Sequence, residues 1–152
     1  MMDGVNRVVA RLEDGTTIKG TTPDFFPNRA VFHIEPVDGG LPVVVRTESL
    51  KALFFVRELA GDMMRRDVRG FIAGPGETKQ GKKLAVLFKD GELLCGYTLS
   101  HQPDRDGFFL FPADPESNNI RVYVLSAAAA EIKAGPAAEE LARKALSGKK
   151  KP

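Results

Sequence analysis

The chain has 152 residues, a formal net charge of +2 and 43% hydrophobic residues, which fits one ordinary domain or two small ones. So small a net charge does not by itself indicate a nucleic-acid-binding protein, and the single cysteine, Cys95, excludes an intrachain disulfide and fits a reducing compartment. No stretch has the length of a membrane span and the N-terminus lacks the apolar segment of a signal peptide, so we expect a soluble cytoplasmic protein.

Five short β-strands are predicted in the first third of the chain. Residues 8–12 are rich in β-forming side chains, and the Asp-Gly pair at 14–15 is typical of a hairpin turn, because Gly adopts a positive φ without strain. The return strand contains Gly20, which indicates a bend or bulge. We expect Thr47 to cap a single helical turn before the last strand. The five predicted strands span 8–12, 16–22, 30–35, 43–46 and 53–57.

A repeat organises the rest of the chain. Residues 83–112 align with residues 7–36 without a gap. The alignment pairs Gly15 with Gly91, Gly20 with Gly96, Pro27 with Pro103, Pro36 with Pro112 and Arg29 with Arg105. Because Gly and Pro restrict the backbone in characteristic ways, their coincidence indicates that both stretches share one fold. Ser126 then matches Thr47 as the expected cap of a second helical turn.

The second half predicts the same succession of elements. Its five strands are expected over 84–88, 92–99, 107–112, 120–125 and 131–133. Residues 136–147 then predict a helix, because Pro136 suits the first turn and its charges suit the helix dipole, acidic early and basic late. Its narrow apolar stripe is expected to dock on the protein's own barrel, with a partner surface as the alternative. The stripe consists of Leu141, Ala142, Ala145 and Leu146.

Four segments follow from these patterns: a small β-barrel over 5–57, a linker over 58–82 with weak helical character near Met63, a second barrel over 83–134, and a helix with a basic tail over 135–152. Closure into barrels is expected because it removes exposed strand edges. A unit of about 50 residues buries too little surface to be stable alone, so we expect the halves to pack together or to self-associate.

Each repeat resembles the Sm-like and SH3-like small barrels, in its apolar first strand, Asp-Gly turn, Gly-bearing second strand and Arg before a short turn and last strand. The resemblance implies a mainly β fold, with two tandem five-stranded barrels from an internal duplication and a short C-terminal helix. Residues 54–62 (FFVRELAGD) and 107–124 also resemble those of bacterial proteins of unassigned function.

The Sm-like resemblance implies an RNA-binding alternative. Sm-like proteins bind RNA through an Asp and an Asn after the second strand and an Arg-Gly pair before the last. Asp24, Asn28 and Arg46 stand at similar places, although Thr47 replaces the Gly of the pair and Gly20 to Asn28 is two residues short. Phe25 or Phe26 could stack on a base.

A second alternative is cyclic-di-GMP binding. PilZ-type receptors carry two arginines four residues apart ahead of a β-barrel, and Arg65 and Arg69 resemble that pair. Arginine pairs suit phosphate through bidentate hydrogen bonds. The second PilZ motif, with an Asp or Asn, a Ser and a Gly on an early strand, is missing here.

Other chemistry is predicted only weakly. Residues 76–82 have the spacing of a phosphate-binding loop, but Lys83 replaces its Ser or Thr and a strand follows instead of a helix. His33, His101 and Cys95 lack zinc-ligand spacing. Ser126 has no His base nearby in sequence. We therefore expect no catalytic residue, no cofactor and no metal.

The leading hypothesis is a non-enzymatic binding or adaptor protein that contacts a protein partner, or a second copy of itself, through barrel loops. Loops on a rigid sheet are where recognition residues concentrate. A Phe-Phe pair in a loop bounded by prolines is also typical of a plug against its own core. The candidate contact residues are Phe25, Phe26 and Arg29 in the first repeat and Arg105, Asp106 and Glu116 in the second.

Overall fold

Strands dominate the computed structural model, which describes residues 6–59, 71, 77–78, 81–99, 101–102, 105–114 and 117–148. The N-terminal half contains β1 (Asn6–Leu12), β2 (Thr17–Thr22), β3 (Val31–Pro36), β4 (Val43–Arg46) and β5 (Leu50–Val56). The C-terminal half contains β6 (Glu77–Thr78), β7 (Gly81–Phe88), β8 (Leu93–Thr98), β9 (Gly107–Pro112), β10 (Asn119–Leu125) and β11 (Ala129–Ala134). Helix α1 (Pro136–Gly148) follows.

Both predicted Asp-Gly hairpins are present, as β1–β2 and β7–β8. Gly15 and Gly91 take φ of 93° and 95°, a region that favours glycine. The Asp14 carboxylate accepts a hydrogen bond from the Thr16 backbone N–H at 2.8 Å, and Asp90 accepts one from Glu92 at 3.0 Å. Each turn therefore fixes the register of its hairpin.

Gly20 and Gly96 are needed where the second strand of each half crosses the third. A Cβ at Gly20 would overlap the carbonyl oxygen of Glu35, and a Cβ at Gly96 would overlap that of Phe111. The bend predicted at Gly20 is thus a close approach of two backbones, for which glycine leaves room.

All strand pairs are antiparallel and form one sheet, in the order β11-β7-β8-β9-β10-β5-β1-β2-β3-β4, with β6 beside β7. The prediction of two tandem closed barrels is not supported. β5 and β10 pair with each other, so that the strands form one open path that ends at β4 and β11. The coarser prediction of a mainly β chain with a C-terminal helix is confirmed.

Two hydrophobic cores lie on opposite faces of this sheet, and β5 contributes to both. Leu50, Leu53 and Phe55 pack with Val8, Phe32 and other residues of the N-terminal half. Side chains on the other face of β5 pack with the C-terminal half, and these are Ala52, Phe54 and Val56. β5 is therefore buried along its whole length, which its near-continuous apolar sequence permits.

A bulge on β5 places Lys51 against the C-terminal half. Arg11 pairs with Ala52 and the next residue of β1 pairs with Leu50, so Lys51 is the extra residue. Its ammonium group donates to Asp90 at 2.7 Å and also to Glu92, and it lies 4.6 Å from the centre of the Phe88 ring. This buried cation ties the halves together through the tip of the β7–β8 hairpin.

Helix α1 docks on the protein's own sheet, as its apolar stripe predicts. Leu141 and Ala142 are buried against Ala85 and Cys95, on the face of β7 and β8 opposite the core. Lys83 donates to Glu139 at 2.5 Å and reinforces the contact. No helix in the described ranges is both long enough and apolar enough to cross a membrane.

Candidate functional site

The same pair of hydrogen bonds occurs in both halves, and we call it the hydroxyl bracket. It joins the residue after the fourth strand to the end of the loop that precedes the third strand. The Thr47 hydroxyl donates to the Arg29 carbonyl at 2.8 Å, and the Ser126 hydroxyl donates to the Arg105 carbonyl at 3.0 Å. Their backbone N–H groups donate to the next residue of each loop, Ala30 and Asp106, at 2.9 and 2.8 Å. Each bracket fixes one arginine beside the end of the fourth strand.

These bonds correct the predicted roles of Thr47 and Ser126. Each residue begins a short 3₁₀ turn, Thr47–Ser49 and Ser126–Ala128, but neither turn has a side-chain capping bond. The hydroxyls instead cross to a loop 18 and 21 residues away. The sequence alignment of Thr47 with Ser126 indicated the equivalence but not this partner.

A cleft of about 540 Å³ opens between the two brackets. An adjoining pocket of about 330 Å³ extends it along β9. The pairing of β5 with β10 brings the loops of both halves to this one place. The cleft is lined by Pro27, Asn28, Arg29, Ala30, Arg46, Thr47, Glu48, Arg105, Asp106, Tyr123, Leu125, Ser126 and Ala127.

Three arginines give the cleft its charge. Arg46 faces Glu48 at 3.2 Å, in a pair of which both side chains are exposed, so the pair is weak. Arg29 lies 5.7 Å from the centre of the exposed Phe26 ring. Within the part of the chain that the structure describes, neither Arg29 nor Arg105 forms an ion pair. Among the described side chains, these two guanidinium groups therefore lack an acidic partner, and Asp106 is an acidic residue of the same lining.

Tyr123 forms the floor of the cleft. Burial, and then the charge of Asp106, raise the pKa of its hydroxyl, against a smaller opposing effect of Arg105. The hydroxyl is therefore neutral at physiological pH and able to donate a hydrogen bond. A Cβ at Gly107 would lie 2.5 Å from this oxygen, so glycine at that position makes room for the tyrosine.

The sequence-predicted partner-binding residues are divided between the cleft and the core. Arg29 and Arg105 line the cleft together with Asp106. Phe26 is 52% exposed at the side of Arg29. Phe25 instead packs its ring edge-on to Phe32, Phe55 and Tyr123, with centroid separations of 5.0, 5.9 and 5.3 Å. This geometry gives Phe25 a packing role, and its role in partner binding stays a prediction.

The RNA-binding candidates are also divided. Asn28 and Arg46 line the cleft, whereas Asp24 is absent from its lining. The Asp24 carboxylate accepts bonds from the backbone N–H of His33 at 2.9 Å and from the Thr22 hydroxyl at 3.3 Å, and it contacts His33 Nδ1 at 2.7 Å. Burial raises the pKa of Asp24, but these bonds outweigh it and the net pKa is lowered. Asp24 therefore holds β3 to the preceding loop.

Arg65 and Arg69 lie outside the described residues, so cyclic-di-GMP binding stays a prediction. Glu116, a predicted partner contact, also lies outside them, and its role stays a prediction as well. Within the described ranges, no group of three or more His, Cys, Asp or Glu side chains is placed to hold a metal ion. Tyr123 was not identified from the sequence, because its place in the cleft depends on the pairing of β10 with β5.

Comparison with known proteins identifies the family. Residues 4–134 match the model of DUF6982, a family of unknown function, and the chain belongs to that family. A search of curated proteins and a search of solved structures found no match.

Proposed function

We propose that this member of the DUF6982 family is a non-enzymatic binding module that holds an acidic segment of a protein partner in the cleft between its halves. The observation that carries the proposal is the convergence of Arg29 and Arg105 on one cleft, neither with an acidic partner among the described side chains. A guanidinium binds a carboxylate through two parallel hydrogen bonds, which gives both affinity and orientation.

The surroundings of the arginines suit a peptide segment. The Tyr123 hydroxyl on the floor of the cleft offers a neutral donor, and Phe26 offers an exposed apolar surface beside Arg29. Aromatic side chains, Phe included, and arginines are enriched at protein interfaces relative to the rest of the surface. The hydroxyl brackets hold the backbone of both arginines, which reduces the ordering entropy that opposes binding.

We also infer that the two halves derive from duplication of one Sm-like or SH3-like unit. Neither unit closes into a barrel, because β5 pairs with β10 of the other half. Two observations support the duplication: the strand orders β5-β1-β2-β3-β4 and β11-β7-β8-β9-β10 are the same, and the hydroxyl bracket recurs. A single cysteine that is buried supports a cytoplasmic location as part of the same proposal.

RNA binding is the second candidate function, and one observation favours it. Asn28 and Arg46, the residues at Sm-like positions, line the same cleft as Arg29 and Arg105. Phosphate groups would use the same guanidinium groups as carboxylates, and an amide side chain can read a base edge. The two candidates therefore differ in the ligand and not in the place.

Selection from a random peptide library tests the leading proposal. We expect the selected peptides to be rich in Asp and Glu and to lose about tenfold to a hundredfold in affinity for the double variant Arg29→Ala, Arg105→Ala, as the loss of charge-assisted hydrogen bonds implies. Lys19→Ala combined with Lys133→Ala is the matched control, since it removes the same charge from exposed strand positions. Peptides that bind the double variant and the control equally would contradict the proposal.

Fluorescence anisotropy with a labelled oligouridylate tests RNA binding. If RNA is the ligand, affinity falls steeply as salt rises, and Asn28→Ala weakens binding without a change in the salt dependence. No anisotropy change at low salt, together with peptide selection that depends on Arg29 and Arg105, would leave the protein partner as the function.

A further inference from the structure

The two ends of the sheet differ in chemistry. β4 and β11 are the last strands of the path, and each has a strand neighbour on one side only among the described residues. The exposed positions of β11 include Glu131 and Lys133, which protect an edge from further pairing. β4 carries three consecutive valines before Arg46, with no charge among them.

The comparison with β5 shows what the charges on β11 prevent. When Thr47 is matched to Ser126, Glu131 falls on Ala52 and Lys133 falls on Phe54. Ala52 and Phe54 enter the core of the other half, which is how β5 accepts β10 as its neighbour. Charged side chains at the same places on β11 would have to be desolvated in any equivalent pairing, at high cost.

The outer surface beside β4 combines exposed valines with two polar side chains, His33 opposite Val44 and Arg46 opposite Val31. Val44 is 61% exposed, and Val31, a diagonal neighbour on β3, is 39% exposed. The loop that joins β3 to β4 adds Val37 and Leu41, which are 63% and 87% exposed. An unpaired edge strand with such a surface is a template for another strand.

We propose that β4 pairs antiparallel with β4 of a second copy of this chain, which makes a symmetric dimer with one continuous sheet. The equivalent edge in the other half already pairs with a strand of the chain. β10 is the fourth strand of that half, as β4 is of the first, and it pairs antiparallel with β5. A two-fold contact needs a self-complementary patch, and a strand with the sequence Val-Val-Val meets that need without any charge.

The faces of β4 limit the registers that a second copy can take. Val45 faces the core and Val44 faces outward. Antiparallel partners must place core-facing residues on the same side. Of the registers that satisfy this condition, one sets all three valines opposite valines: Val44 lies opposite Val44 of the second copy, with Val43 opposite Val45. Arg46 then lies opposite Pro42, so the two arginines do not meet.

A second copy fits this edge better than β11 of a neighbouring chain. By the internal register, pairing of β4 with β11 would place Val43 opposite Lys133 and Val45 opposite Glu131. Both charges would then lie against the core of the N-terminal half. The symmetric contact sets valines opposite valines and leaves Arg46 on the outward face, opposite Pro42. This inference goes beyond the proposed function, and the strand pairing shares only Arg46 with the lining of the cleft.

Light scattering over a concentration series tests the dimer. The monomer mass is 16.5 kDa, and we expect the wild-type protein to reach twice that value. Val44→Lys places two like charges opposite each other and is expected to raise the dissociation constant at least about a hundredfold. Leu99→Lys, with the same charge on an exposed apolar residue of the C-terminal half, should leave the dimer intact. A wild-type monomer, or a dimer that Val44→Lys does not weaken, overturns the proposal.

A cross-link tests the register itself. Cys95 is buried, so Val44→Cys adds the accessible thiol. Residues directly opposite in an antiparallel pair lie about 4.5–5.5 Å apart at Cα, which suits a disulfide. We expect oxidation to yield a covalent dimer on a non-reducing gel, whereas Ala130→Cys on β11 should not cross-link. Failure of Val44→Cys to cross-link, or a link formed only between Val44→Cys and Ala130→Cys chains, would show that the proposed pairing is wrong.

Discussion

β5 and β11 are the fifth strands of the two halves, and their burial is opposite. All seven residues of β5 are buried, whereas none of the six residues of β11 is. The cause is the neighbour on the second side: β5 lies between β1 and β10, whereas β11 pairs with β7 and has no second strand beside it among those that the structure describes. β5 therefore supplies side chains to two cores, and β11 supplies them to one.

The residues of each strand therefore depend more on which strands lie beside it than on its place in the repeat. Phe54 and Lys133 stand at equivalent positions, but Phe54 fills the core of the opposite half and Lys133 faces solvent. Both halves thus keep the same hairpin and the same hydroxyl bracket, while β5 is a buried junction between the halves and β11 is a protected edge of the sheet.

Of the substitutions on β5 and β11, Phe54→Ala should lower the stability of the fold the most. Truncation of a buried Phe leaves a cavity, and we expect the free energy of unfolding to fall by about 3–5 kcal/mol. Lys133→Ala, at the equivalent place on β11, should change it by less than about 0.5 kcal/mol. Denaturant unfolding of both variants measures the contrast, and similar losses would mean that β5 is not the shared strand.

Lys51→Ala should come next, because Lys51 carries the ionic contact between the halves. We expect a loss of about 2 kcal/mol, from its ammonium hydrogen bonds and the packing of its stem. Asp90 and Glu92 are partly exposed and regain water, which limits the cost. Ala130 stands at the matching place on β11 and is exposed, so Ala130→Lys should be close to neutral in the same unfolding measurement.

The same contact predicts a pH dependence. Hydrogen bonds from Lys51 and from the Glu92 backbone N–H lower the pKa of Asp90, against the smaller effect of desolvation. Since the folded pKa lies below the unfolded one, this carboxylate stabilises the fold above about pH 4, and the contribution is lost as pH falls through the folded pKa. In Lys51→Met, NMR titration should show the Asp90 pKa raised, and an unchanged pKa would contradict the contact.

The hydroxyl brackets offer a test of what the halves share. Thr47→Val and Ser126→Ala should each cost about 1 kcal/mol, the usual net contribution of one hydrogen bond. Similar values are expected because both hydroxyls bind a carbonyl at the same place in the loop. Unfolding curves of the single variants would reveal any inequality, and a cost confined to one half would mean that the brackets are not equivalent.

The smallest effect on stability is expected from Glu131→Val combined with Lys133→Val. Both side chains are exposed, so the free energy of unfolding should change by less than about 0.5 kcal/mol. The variant removes the charges that protect β11, and we expect light scattering to detect assemblies larger than those of the wild type as concentration rises. An unchanged molar mass would mean that these charges do not prevent further strand pairing at β11.

Local features of the fold were predictable from the sequence. Gly15 and Gly91 identified the hairpins because a positive φ suits glycine. The apolar stripe of α1 indicated its docked face. The matched glycines of the second strands indicated two halves with the same strand order. These predictions depend on backbone conformation over a few residues, which side-chain type constrains directly.

The join between the halves, and the cleft that it creates, were decided by tertiary structure. Arg29 and Arg105 are 76 residues apart in the sequence, and they line one cleft because β10 pairs with β5. Backbone donors and acceptors are alike along every strand, so the sequence of a strand does not state which neighbour it will take. That choice depends on burying two cores at once, which only the folded chain brings about.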